Sequence, residues 1–150
     1  AWIAMTIAQE PEILILDEPT TYLDVSYQVE VLELVKKLNR ELGITIIMVL
    51  HDINLAARYS DVLMAVKGGR LYAAGAPSEI VNEKYLKEIF EIEASVYTDP
   101  VHECPYFIPL KYGGRNNEKS PIAFSVRSDA RRHVLAGVLR NDQQRRIRCV

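Results

Sequence analysis

The stretch ILILDEPTTYLD, Ile13 to Asp24, decides the fold. Its four consecutive apolar residues read as a short strand buried on both faces, as in a parallel sheet covered by helices. That strand runs straight into two adjacent carboxylates. An ionised acid at the edge of a core is costly unless a cation or hydrogen bonds offset it, so Asp17 and Glu18 must face a partner. Pro19 disfavours the right-handed helical region for the residue before it and predicts an extended backbone at Glu18.

Upstream, Ala1 to Ala8 reads as the tail of a helix that Gln9, Glu10 and Pro11 end. Downstream, Val31, Leu34, Val35, Leu38 and Leu42 recur at helical spacing between Ser26 and Leu42, with Lys36, Lys37, Asn39, Arg40 and Glu41 on the polar face. Gly43 supplies a left-handed cap. Ile44 to Leu50 is a second fully apolar strand, and two such strands joined by an amphipathic helix make a βαβ unit. A short helix over Ile53 to Tyr59, with Asp52 as its N-cap, and a hairpin of Val62 to Val66 and Leu71 to Ala74 around Lys67-Gly68-Gly69-Arg70 continue the sheet. Short helices fit Pro77 to Val81 and Glu83 to Phe90, and weaker strands fit Ser95 to Thr98 and Tyr106 to Leu110. Tyr22 and Tyr27 read as packing residues.

The fold class expected is therefore α/β, a mostly parallel sheet flanked by helices. Residues 1–110 form its domain and residues 111–150 a linker and basic tail that is poorly ordered. Gly113 to Ser120 is linker-like, and beyond it Arg127, Arg131, Arg132, Arg140, Arg145, Arg146 and Arg148 face only Asp129 and Asp142. A basic helix over Asp129 to Arg140, or a phosphate- or headgroup-binding segment, is the other reading of that tail.

Composition narrows the function. A 150-residue chain that is 49% hydrophobic and 25% charged has the makeup of a globular domain, and a net charge of -2 gives no support to a nucleic-acid partner. The longest apolar run, near Ile46 to Leu50, falls far short of the roughly 20 residues of a membrane-spanning helix. Two distant cysteines, Cys104 and Cys149, make no disulfide framework and suit a reducing compartment as thiols. His102 beside Cys104 lacks the second half of a zinc site.

In open α/β sheets, ligands bind outside the carboxyl ends of the strands, and the two strands here end in Asp17-Glu18 and His51-Asp52. Adjacent strands bring Asp17, Glu18 and His51 to one rim. A divalent cation on a polyphosphate at that rim offsets the carboxylate charge.

With those residues placed, the sequence from Ala1 to about Leu110 resembles the nucleotide-binding subunit of ATP-binding-cassette transporters. ILILDEP looks like the Walker B strand with its catalytic glutamate, TTYLD like the D-loop and VLHD like the switch-histidine loop. TTYLDVSYQVEVLELV and ITIIMVLHDINLAARYSDVLMAVKGGRLYAAGAPSEIV are similar to the ATPases of bacterial iron-siderophore, haem and cobalamin importers. The resemblance implies ATP and Mg2+ as ligands. Asp17 would orient the magnesium ion through water, Glu18 would be the general base, and His51 would sense the γ-phosphate. Asp24, otherwise an N-cap, would reach the partner's phosphate site across a head-to-tail dimer of two ATPase subunits. The other implied partners are transmembrane permease subunits and, indirectly, a substrate-binding protein, with the ATPase peripheral on the cytoplasmic face of the membrane.

The sequence contains no G-x-x-x-x-G-K-[ST] phosphate loop, glutamine loop or serine-glycine signature. It therefore resembles the carboxy-terminal portion of a longer ATPase, with a hydrophobic sheet edge at Ile13 to Leu16, and is expected neither to bind nor to hydrolyse ATP alone. The competing functions are a soluble cassette ATPase acting on ribosomes or DNA, and a non-catalytic remnant. Neither the transported compound nor the native status of residues 121–150 is legible.

Overall fold

A computed structural model describes residues 11–112 and 122–127. The helix tail expected over Ala1 to Ala8, the linker, the basic helix and Cys149 lie outside the described residues. Seven strands and four helices follow one another as β1 (Ile13–Asp17), α1 (Val25–Leu42), β2 (Thr45–Leu50), α2 (Ile53–Tyr59), β3 (Val62–Lys67), β4 (Arg70–Gly75), α3 (Pro77–Ile80), α4 (Glu83–Phe90), β5 (Ile92–Thr98), β6 (Pro105–Tyr112) and β7 (Ile122–Arg127) among the described residues.

The main sheet has the order β1-β2-β7-β3-β4, and β5 and β6 form a separate two-stranded sheet. The βαβ unit is present: β1 and β2 are parallel, with Leu16 opposite Met48 and Asp17 opposite Val49. The mostly parallel sheet expected from the sequence is not what the strand pairs show. β7 runs antiparallel to both β2 and β3, and β3 and β4 form an antiparallel hairpin. The reason is topological. β2 and β3 point the same way but do not touch, and the strand between them enters from a segment read as tail.

Crossovers that proceed in the same direction along a sheet lay their helices on one face. Leu14, Ile46, Met48 and Leu50 accordingly pack with Leu32 and Val35 of α1 and with Ala56 and Tyr59 of α2 in one apolar cluster. On the other face of β1, Ile13 and Ile15 are 45% and 69% exposed. The strand is therefore buried on one face only, not on both, and among the described residues it lies at the edge of the sheet.

The helix α1 turns a slightly different stripe inward than its Leu and Val spacing suggested. Leu32, Val35 and Asn39 are buried, whereas Leu34 and Leu42 are exposed. Asn39 belongs inside because its Nδ2 donates to the carbonyl of Ile44 at 2.7 Å, satisfying the turn between α1 and β2. That turn is closed by Gly43 at φ +63°, whose N–H reaches the carbonyl of Asn39 at 3.0 Å. The hairpin between β3 and β4 turns through Gly68 and Gly69, both at positive φ, as a two-residue turn of this hand requires.

Candidate functional site

Parallel pairing with Asp17 opposite Val49 brings the ends of β1 and β2 level. Glu18 and His51, the residues just beyond those ends, are then neighbours across 33 positions of sequence. The Glu18 Oε1 to His51 Nε2 distance is 2.7 Å, with both side chains partly solvent-exposed. The other carboxylate oxygen, Oε2, accepts a hydrogen bond from Thr21 Oγ1 at 2.9 Å. These two hydrogen bonds, His51 first and Thr21 second, hold the Glu18 carboxyl below the ordinary glutamate range. An imidazole and a hydroxyl are thus the partners of the second of the two adjacent acids.

The backbone at Glu18 differs from the extended conformation expected before Pro19. Its φ is +46°, in the left-handed region. A following proline disfavours the right-handed helix but leaves this region open, and the N–H of Thr21 closes a turn onto the carbonyl of Glu18 at 3.1 Å. Tyr22 also has positive φ and is fully exposed, and Tyr27 is exposed as well. Neither is a packing residue: Tyr22 lies in the turn after β1, and Tyr27 is on the outward side of the first turn of α1.

Asp17 ends β1 and is exposed. Asp24 takes the N-cap position of α1 with extended φ and ψ, yet its side chain makes no capping hydrogen bond. Asp52 is the contrasting case: its Oδ1 accepts from the N–H of Leu55 at 2.9 Å, so it caps α2. Thus the structure joins Glu18 to His51, sets Asp17 one residue before them, and leaves Asp24 six residues further on at the start of a helix.

Among the described residues no group of three or more His, Cys, Asp or Glu side chains is arranged to hold a metal ion. Magnesium in nucleotide sites is held differently, by one or two carboxylates, several waters and phosphate oxygens. A single exposed Asp17 beside Glu18 fits that donor set, and does not fit an all-protein cage. His102 pairs with Asp99 through Nδ1 and Oδ2 at 2.9 Å. Burial, with the Asp99 charge nearby, pushes the Cys104 thiol up, away from the thiolate a metal takes.

Two features had no clear signal in the sequence. Thr21 follows Glu18 by three residues, a spacing at which a hydroxyl reaches back across a turn, but the pattern occurs in many turns without this contact. Asn54 reads both backbone groups of Phe107 in β6: its Nδ2 donates to the carbonyl at 3.2 Å and its Oδ1 accepts from the N–H at 2.9 Å. This fastens the β5–β6 sheet to the helix that follows His51.

Comparison with known proteins finds chains similar to this one. The chain is 46% identical over 127 residues to the petrobactin import ATP-binding protein FpuD of Bacillus anthracis, covering 85% of this chain and 46% of that one. It is 51% identical over 109 residues to the achromobactin transport ATP-binding protein CbrD of Dickeya dadantii, covering 73% and 40%. With the ferric enterobactin transport ATP-binding protein FepC of Escherichia coli it shares 48% identity over 110 residues, covering 73% and 41%. The chain is a relative of siderophore-importer ATP-binding-cassette proteins. A solved metal-chelate type ABC transporter in an inward-facing conformation agrees with the fold at a TM-score of 0.60 and 25% identity, over 73% of this chain and 44% of that one. No protein-family model matches. The chain spans less than half the length of these cassette relatives. Among its described residues no helix is long and apolar enough to cross a membrane.

Proposed function

We propose that the chain carries the hydrolytic rim of an ATP-binding-cassette ATPase that powers import of a ferric siderophore. The observation that carries this reading is the 2.7 Å contact between Glu18 and His51 at the level ends of two parallel strands. The names of the relatives support the substrate class, and the single-carboxylate character of Asp17 supports a nucleotide-bound magnesium ion.

In this reading Glu18, kept ionised by His51 and Thr21, accepts the proton of the water that attacks the γ-phosphorus in line. The bond from that phosphorus to the bridging oxygen breaks, and the nucleoside diphosphate leaves. His51 donates to a γ-phosphate oxygen. Its direct contact with Glu18 leaves no place for a water between them, so nucleotide entry replaces that contact by one through the attacking water. Asp17 would hold a magnesium ion through water, and the ion would supply positive charge against the phosphates. Asp24, whose carboxylate is not spent on capping, reaches the phosphate site of a second subunit in a head-to-tail dimer. Residues 1–110 constitute the cassette portion, docked on permease subunits at the cytoplasmic face of the membrane, where a substrate-binding protein delivers cargo from the other side.

Two measurements test this. In a cassette carrying these residues behind a phosphate loop, Glu18→Gln retains nucleotide binding and loses turnover; unchanged turnover refutes Glu18 as the base. Co-purification with a multi-span membrane protein supports an importer, whereas co-purification with ribosomes or DNA points to the soluble cassette class.

A further inference from the structure

We propose that Thr21 is a positioning residue for Glu18, holding its carboxylate in the orientation that faces His51; this rests on Glu18 being the base. A non-glycine residue in the left-handed region is uncommon and persists where surrounding contacts over-determine it. At Glu18 those contacts come twice from one residue, Thr21. Its N–H closes the turn onto the Glu18 carbonyl at 3.1 Å, and its hydroxyl binds Oε2 at 2.9 Å.

The side chain follows from this. A glutamate has three rotatable bonds, and a half-exposed one pointing at a single imidazole samples many rotamers. Here the two carboxylate oxygens are divided: Oε1 to His51 and Oε2 to Thr21. Two anchors on the two oxygens set the plane of the carboxylate, which one anchor does not. When nucleotide takes His51 away, Thr21 is the anchor that stays.

The test is orientation and turnover. In the full chain, carbon-13 relaxation of the labelled Glu18 carboxyl, assigned with Glu18→Gln, reports faster internal motion in Thr21→Val and the parent's rigidity in Thr21→Ser. Thr21→Ala supplies the same reading if the valine variant fails to fold, amide dispersion reporting on folding. Carboxyl motion unchanged in both Val and Ala variants overturns the proposal, as does a serine variant that behaves like valine. In a cassette behind a phosphate loop, Thr21→Val lowers kcat about 3- to 10-fold with KM unchanged, and Thr21→Ser restores it. If the carboxyl loosens but Glu18→Gln leaves turnover intact, the tether stands and the reading of Glu18 as base falls; if turnover collapses in Glu18→Gln while the Thr21 variants leave the carboxyl rigid, the reverse holds.

Discussion

Two carboxylate–imidazole pairs occur in the described chain, and they have opposite origins. Glu18 and His51 meet at 2.7 Å across 33 positions because two parallel strands end level. Asp99 and His102 meet at 2.9 Å across three, inside the turn between β5 and β6, where the N–H of Val101 also binds Asp99 at 2.8 Å. The local pair is what a turn makes of any aspartate and histidine so spaced. The distant pair exists only while the sheet holds its register. Similar geometry thus carries different information: the second is a feature of one loop, the first a product of the fold, and a site whose chemistry depends on alignment is built from the first kind.

The comparison breaks most sharply on function. Glu18→Gln in a cassette behind a phosphate loop is expected to lower turnover roughly 10²- to 10⁴-fold with nucleotide binding kept, measured as phosphate release. Asp99→Asn in the same background should leave turnover within about twofold, since hydrogen-bond changes at an exposed turn are small. Equal losses from both substitutions would show that the two pairs do not differ in role.

Next in size is the frame beneath the distant pair. Leu32 of α1 is buried under β1 and β2, and Leu32→Ala is expected to cost about 2 to 5 kcal/mol in denaturant unfolding. In NMR spectra taken below the unfolding midpoint, the His51 ring signals should broaden before those of His102. Simultaneous change at both rings would mean the local pair also leans on the core.

Asn54 links the two regions, fastening the sheet that carries Asp99 and His102 to the helix after His51. Its replacement in Asn54→Ala leaves two backbone groups of Phe107 without this partner and should cost about 1 to 3 kcal/mol. Hydrogen exchange at the Phe107 amide should quicken, while the amide of Val101, held within the turn, should not. Exchange unchanged at Phe107 would remove Asn54 as the link.

Acid gives the smallest effect and acts on both pairs alike. Hydrogen bonds from His51 and Thr21 hold Glu18 below its ordinary range, and those from the Val101 N–H and His102 do the same for Asp99. A carboxyl whose folded-state pKa is depressed contributes stability above its unfolded pKa and loses it as the pH falls through the folded value. Glu18→Gln and Asp99→Asn should each flatten the acid side of the profile of thermal midpoint against pH. A variant as acid-sensitive as the parent would show that its carboxylate is not linked to folding.

Much of the architecture was legible because it follows from short-range rules. α2 and α4 lie where periodicity and capping put them, and Gly43 and the Gly68-Gly69 turn take the positive φ that their positions demand. The inward stripe of α1 was less legible, since Asn39 is buried by a hydrogen bond that apolar spacing does not encode. Strand β7 was missed for a related reason. Its segment, Ile122 to Arg127, is apolar and β-prone, but it follows a linker-like run, and pairing with β2 and β3 is a long-range event. At the rim, Glu18 and His51 were marked by their place after apolar strands, whereas Thr21 was not, because a hydroxyl acquires meaning only from what it touches.

By itself the sequence determined which residues bear charge or an imidazole at the ends of two apolar strands, and hence the kind of chemistry that could occur there. Only the tertiary structure decided that β1 is open on one face, that the sheet is mixed, and that Glu18 takes a left-handed turn to meet both His51 and Thr21. The physical reason is range. Propensity and capping act within a few residues, while strand order, exposure of a face and the meeting of groups 33 positions apart are set by how distant segments share one core.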